Sequence, residues 1–121
     1  MAKHILLVDD DPDFTRAMGA SLTLAGYEVS IATRFDAALG ILESTKIDLL
    51  ITDLVMPSSV NGVALARMAS LRCPGLPVLY LTGFDLPGIE NEALLGPILK
   101  KPVDDRRLIE MIDASLRSQG V

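Results

Sequence analysis

The 121-residue sequence is half hydrophobic but only 4% aromatic, so it has the size of one domain with an aliphatic core. A formal net charge of −5, with no stripe of lysines and arginines, argues against nucleic-acid binding, and the lone cysteine, Cys73, excludes an internal disulfide or a zinc framework. No apolar run is long enough to cross a bilayer, and Met1-Ala2-Lys3-His4 leads directly into an apolar strand rather than a cleavable leader, so the expectation is one cytoplasmic domain over residues 1–121 without a membrane partner.

Residues 3–8 read as a short strand ending in Asp9-Asp10-Asp11-Pro12. Asp11 is placed to cap a helix with Pro12 at its first position, where a missing N–H costs nothing. Phe14, Met18, Leu22 and Ala25 then recur at helical spacing, and Gly26 stops the helix. Residues 27–32 form a second strand, and Asp36 is expected to cap a second helix that turns Ala38, Leu39 and Leu42 inward. Residues 47–52 are a near-continuous apolar run, as in a strand buried on both faces, closed by Asp53. After a loop at 58–62, a helix over 63–72 presents Leu65, Met68 and Ala69 on one face until Pro74-Gly75 breaks it. Residues 76–82 are a fourth buried strand ending in Thr82. The stretch 84–96 is the weakest, with Pro87-Gly88 leaving room for a short helix over 89–95. Residues 97–100 make a fifth strand, and Asp104 caps a last helix carrying Leu108, Ile109, Ile112 and Leu116.

Strands alternating with helices imply an α/β fold, a parallel sheet with helices on both faces, joined by right-handed crossovers into a three-layer sandwich. In such sheets ligands bind outside the carboxyl ends of the strands. Four strand ends here carry polar groups: Asp9 and Asp10, Asp53, Thr82 and Lys101. Each has a plainer reading by itself. Asp53 could simply begin a turn, Asp9 to Asp11 could be a capping run, Thr82 an ordinary β-branched strand residue, and His4 and Cys73 are single residues without placed partners. Together they suggest chemistry. Three carboxylates in a small volume repel one another, and a divalent cation with oxygen ligands, Mg²⁺, relieves that. A carboxylate so placed can act as nucleophile toward a phosphoryl group, with an ammonium and a hydroxyl neutralising the transferring oxygens.

The sequence resembles the receiver domains of two-component response regulators in Asp9-Asp10 of LLVDDDP, Asp53 of ITDLVMP, Thr82 of VLYLTG and Lys101 of LKKP, in that order along nearly the whole chain. The resemblance implies a flavodoxin-like strand order 2-1-3-4-5. It implies that Asp9 and Asp10 help bind Mg²⁺, Asp10 more directly, with Asp53 and the backbone carbonyl of Val55 completing the protein's share of the shell. Asp53 would accept a phosphoryl group from a phosphohistidine of a histidine kinase or phosphotransfer protein. Thr82 and Lys101 would engage the phosphoryl oxygens, and a changed protein-binding face would reach a downstream effector. Of Lys100 and Lys101, only one can enter the site, because neighbours on a strand point to opposite faces.

The sequence also departs from that pattern. Ile98 stands where the family usually has a tyrosine or phenylalanine, and the segment between Thr82 and Lys101 is short. The face made by the fourth helix, fifth strand and last helix, the usual output and homodimer face, is therefore expected to be altered, with a short or mobile fourth helix. Val55 and Phe84, beside the phosphorylation site, are apolar, so slow self-dephosphorylation is expected. Asn61-Gly62 replaces a common Asp-Gly, with no function attached. Two other classes compete: a receiver-like module that binds partners without phosphorylation, and a small Mg²⁺-dependent phosphohydrolase. The second needs an acid/base carboxylate two residues beyond the nucleophile, where this chain has Val55.

Overall fold

A computed structural model describes residues 2–55, 61–83 and 93–119. The elements run β1 (His4–Val8), α1 (Pro12–Leu24), β2 (Glu28–Ala32), α2 (Phe35–Ser44), β3 (Leu49–Asp53), α3 (Gly62–Arg72), β4 (Val78–Thr82), β5 (Ile98–Lys100) and α4 (Asp105–Gln119). The five strands form one parallel sheet in the order β2-β1-β3-β4-β5, as the resemblance implies.

Side-chain alternation along the strands builds two separate cores. Ile5, Leu7, Leu49, Ile51, Leu79 and Leu81 point to one face, where they pack against Met18 and Leu22 of α1 and Leu108 and Ile112 of α4. Leu6, Val8, Leu50, Val78 and Tyr80 point to the other, against Ala38 and Leu42 of α2 and Leu65, Ala66 and Ala69 of α3. Every residue of β3 and β4 is buried, which accounts for their uninterrupted apolar sequences.

Local signals explain most boundaries. The Asp11 carboxylate accepts from the backbone N–H groups of Asp13 and Phe14, with Pro12 next in the helix. Gly26, at φ 102°, carries the chain out of α1 in the left-handed region that a side chain would resist. Asn61 caps α3 through Ala64 N–H, and the Asp104 carboxylate accepts from Arg106 N–H at the start of α4.

Several sequence expectations need correction. Asp36 does not cap α2. Arg34 holds the cap position without a side-chain cap bond, and Asp36 lies inside the first turn, where it accepts from Arg34 Nε at 3.2 Å and its charge suits the helix dipole. Ala25 is exposed, because the helix has already ended and the chain is turning away from the sheet. Met68 is 36% exposed; the buried stripe of α3 runs instead through Val63, Leu65, Ala66 and Ala69. Residues 93–95 are not helical, and the rest of the expected helix over 89–95 lies outside the described residues. Among the described residues no helix is long and apolar enough to cross a membrane.

Candidate functional site

Sheet register brings the polar strand ends together. Val8 pairs with Thr52, so the residues that follow, Asp9 and Asp53, emerge side by side. Asp53 pairs with Leu81, and Thr82 pairs with Lys100, so Thr82 and Lys101 close the row from the other side. Alternation then sorts the side chains. Asp9, Asp53 and Lys101 continue the series that faces α1 and α4, whereas Lys100 takes the other direction and is exposed. Of the two lysines, Lys101 is the one that reaches the acids.

Its ammonium lies 2.5 Å from Asp9 Oδ2 and 3.4 Å from Asp53 Oδ2. Asp9 is fully buried, and its other oxygen accepts from Asp11 N–H at 3.0 Å. Asp53 is 6% exposed and accepts from Val55 N–H at 3.3 Å. Asp10 is half-buried, and its carboxylate makes no hydrogen bond or ion pair among the described residues. One carboxylate oxygen from each of Asp9, Asp10 and Asp53 falls within 4.8 Å of the others. Thr82 is buried at the end of β4, and its carbonyl accepts from Lys101 N–H at 2.7 Å.

The electrostatics follow from this crowding. Burial raises the Asp53 pKa, the neighbouring Asp9 charge raises it further, and Lys101 and the Val55 N–H only partly offset them. For Lys101, burial pulls the pKa down, but its bonds and proximity to Asp9 and Asp53 outweigh that and leave it raised. One ammonium therefore serves at least two buried carboxylates, and the cluster remains short of positive charge. A small hard cation matches this donor set: all the side-chain ligands are carboxylate oxygens, one from each acid and all within 4.8 Å of one another.

The backbone beneath the site is also tightly constrained. A Cβ built on Gly62 would lie 2.0 Å from the Asp53 carbonyl oxygen, and Gly62 N–H donates to the Leu54 carbonyl at 3.0 Å. Only glycine permits this approach of α3 to the end of β3, a requirement that the Asn61-Gly62 dipeptide alone did not disclose. Sequence reasoning also missed a ring at the site. Phe14, read there only as a core residue of α1, carries the Lys101 ammonium 4.6 Å from its ring centroid.

The sequence matches the response regulator receiver domain family over residues 5–113. The chain belongs to that family. It is 33% identical to the response regulator receiver protein CpdR of Brucella abortus, over 94% of this chain and 97% of that protein. It is 37% identical to the transcriptional regulatory protein GlrR of Escherichia coli over 97% of this chain, which spans only 27% of that longer relative. Among solved structures, a CheY-like receiver domain from Methanospirillum hungatei superposes with a TM-score of 0.88 at 29% identity, covering 99% of this chain and 98% of the other. Receivers are domains of phosphorylation-dependent two-component signalling rather than enzymes of the ordinary kind. The receiver's Ile98 packs on the α2/α3 side, in register with the buried Tyr80, whose hydroxyl accepts from Leu95 N–H at 3.2 Å. Phe84 lies outside the described residues.

Proposed function

We propose that this receiver is a phosphorylation-operated switch in which Asp53 accepts a phosphoryl group from a phosphohistidine on a histidine kinase or phosphotransfer protein. The observation that carries this reading is a buried carboxylate of raised pKa, held between two further acids and a lysine at the carboxyl end of the sheet. Asp9, Asp10 and Asp53 would hold Mg²⁺, together with the backbone carbonyl of Val55; bound there, the ion supplies charge neutralisation for the phosphoryl oxygens.

An Asp53 carboxylate oxygen attacks phosphorus in line with the bond to the donor imidazole. The new P–O bond forms as the P–N bond breaks, and the electron pair of that bond stays on the imidazole nitrogen. Lys101 leaves Asp9 for the phosphoryl oxygens, and the Thr82 hydroxyl donates to them. The reaction is the receiver's own modification, with no substrate turned over. Its product changes a protein-binding face for a downstream effector, in one cytoplasmic domain that binds neither nucleic acid nor membrane. Val55 offers no side-chain polar group to orient an attacking water, which supports slow self-dephosphorylation.

Incubation with acetyl phosphate and Mg²⁺, followed by intact-mass measurement, tests the reading. One phosphoryl adduct is expected on the wild type, absent with chelator and absent in Asp53→Asn. An adduct that persists in Asp53→Asn places the phosphoryl group elsewhere and ends the assignment.

A further inference from the structure

We infer that Phe14 is a positioning residue for phosphoryl transfer: its ring is the floor on which the Lys101 ammonium rests beside Asp53. The inference rests on the reading of Lys101 given above and extends it to a residue outside the polar cluster.

The acids hold Lys101 from one direction. Asp9 Oδ2 and Asp53 Oδ2 accept from the ammonium, and the Phe14 ring lies under it at 4.6 Å from the centroid, well inside cation–π range. A lysine side chain has a flexible four-carbon stem, so two acceptors at one end leave much of its path undefined. The ring supplies a surface along that path. It attracts the cation without offering a hydrogen bond, so the ammonium can slide from Asp9 toward Asp53 without giving up a bond to the ring.

Phe14 itself is well anchored. The Asp11 side chain accepts from its backbone N–H, and Pro12 fixes the start of the same helical turn. Thus the Asp9-Asp10-Asp11-Pro12 run that supplies two acids also places the ring. Phe14 and Lys101 both line a groove of about 290 Å³ between α1 and the start of α4, together with Met18, Pro102 and Val103. A core residue would need only apolar neighbours. Phe14 is half-buried, packs on the edge of the core on the α1 and α4 side, and in addition has the partly exposed Lys101 ammonium against its ring.

The test uses acetyl phosphate, a donor too small to need a docking surface, so any effect of Phe14 on partner recognition drops out. Rate constants for phosphorylation at saturating donor are measured for wild type, Phe14→Leu, Phe14→Tyr, Lys101→Ala and the double variant Phe14→Leu/Lys101→Ala, with Mg²⁺ affinity followed by calorimetry. Phe14→Leu should slow phosphorylation about three- to ten-fold, with the donor KM and Mg²⁺ affinity little changed. Phe14→Tyr, which keeps the π face, should restore the rate to within about two-fold. In the Lys101→Ala background, Phe14→Leu should cost nothing further, because the ring then has no cation to place. An equal loss with and without Lys101 would mean a structural role and overturn the inference, as would a Phe14→Leu rate equal to wild type or a Phe14→Tyr rate as low as Phe14→Leu. If Lys101→Ala slows the reaction and Phe14→Leu does not, only this inference falls. If Lys101→Ala has no effect, the role of Lys101 falls and the inference with it.

Discussion

At the amino ends of β1 and β2 the polar groups are matched to one another. His4 N–H donates to Asp48 Oδ2 at 2.8 Å, His4 Nε2 and Ser30 Oγ share a hydrogen bond of 2.7 Å, and His4 Nδ1 lies 3.5 Å from Glu28 Oε2. At the carboxyl ends of β1 and β3, by contrast, Asp9 and Asp53 are buried together with Asp10 beside them, and Lys101 is the cation that answers them. Both ends border a groove, and both are built by the same register. The difference lies in burial. The first set spreads its two acids over a partly exposed edge, with the Glu28 side chain 65% exposed, and holds the strand starts in place; the second keeps like charges close in a region of low dielectric, at a cost in stability that the proposed cation and phosphoryl chemistry would relieve. Stability and the proposed function therefore occupy opposite rims of one sheet.

The largest expected effect comes from relaxing the backbone that holds the crowded rim. Gly62→Ala would drive a Cβ into the Asp53 carbonyl, which neither α3 nor the fully buried β3 can easily avoid. A loss of about 3 kcal/mol is expected, read as a fall in Tm and in the denaturant midpoint. Phosphorylation by acetyl phosphate should slow as well, since Asp53 moves with its backbone. A Gly62→Ala protein with unchanged Tm would show that the two elements are not pressed together at this point.

Asp53→Asn gives a smaller effect of opposite sign. The folded-state pKa of Asp53 is raised above its ordinary 3.8, so the ionised form is penalised by the fold. That penalty is present above the folded pKa, fades as pH falls through it, and is gone below the unfolded value. Without Mg²⁺, Asp53→Asn should therefore raise Tm by a few degrees near neutral pH, with the gain vanishing toward about pH 4. Added Mg²⁺ should stabilise the wild type more than the variant, by mass action on the ligand it retains. A variant less stable than wild type at neutral pH would mean that the Lys101 contact outweighs burial and the Asp9 charge, and the crowded rim would then carry no cost in stability.

Most of the architecture was legible from local signals with a direct physical meaning. The caps at Asp11 and Asp104, the proline at Pro12 and the fully apolar β3 and β4 specify elements without reference to distant residues. Once the strands are parallel, alternation alone puts Asp9, Asp53 and Lys101 on one side, so the heart of the candidate site could be read from position in the chain. What could not be read depended on neighbours. Helical spacing showed that Phe14 leans toward the sheet but not that it meets a lysine 87 positions later in sequence, from 101 − 14. The same spacing nominated Met68, whose exposure is decided by where α3 runs across β3 rather than by its own periodicity. Gly62 looked like a turn residue because its constraint, the Asp53 carbonyl, lies in another element. Asp36 failed as a cap because an extended Arg34 already begins the helix, leaving the acid two positions too far in.

The smallest expected effect tests whether the amino-end rim is only structural. Ser30→Ala removes the hydroxyl that meets His4 Nε2, and the imidazole, with its side chain still 20% exposed, can take a water in exchange. The expected loss is about 1 kcal/mol or less, a shift of a few degrees in Tm. Phosphorylation of Asp53 by acetyl phosphate should proceed at the wild-type rate, because no residue of the His4 network touches the acid cluster and the intervening strand residues are apolar and close-packed. A Ser30→Ala protein that kept its stability but phosphorylated several-fold more slowly would tie the two ends together through β1, and the division of labour between the rims would have to be abandoned.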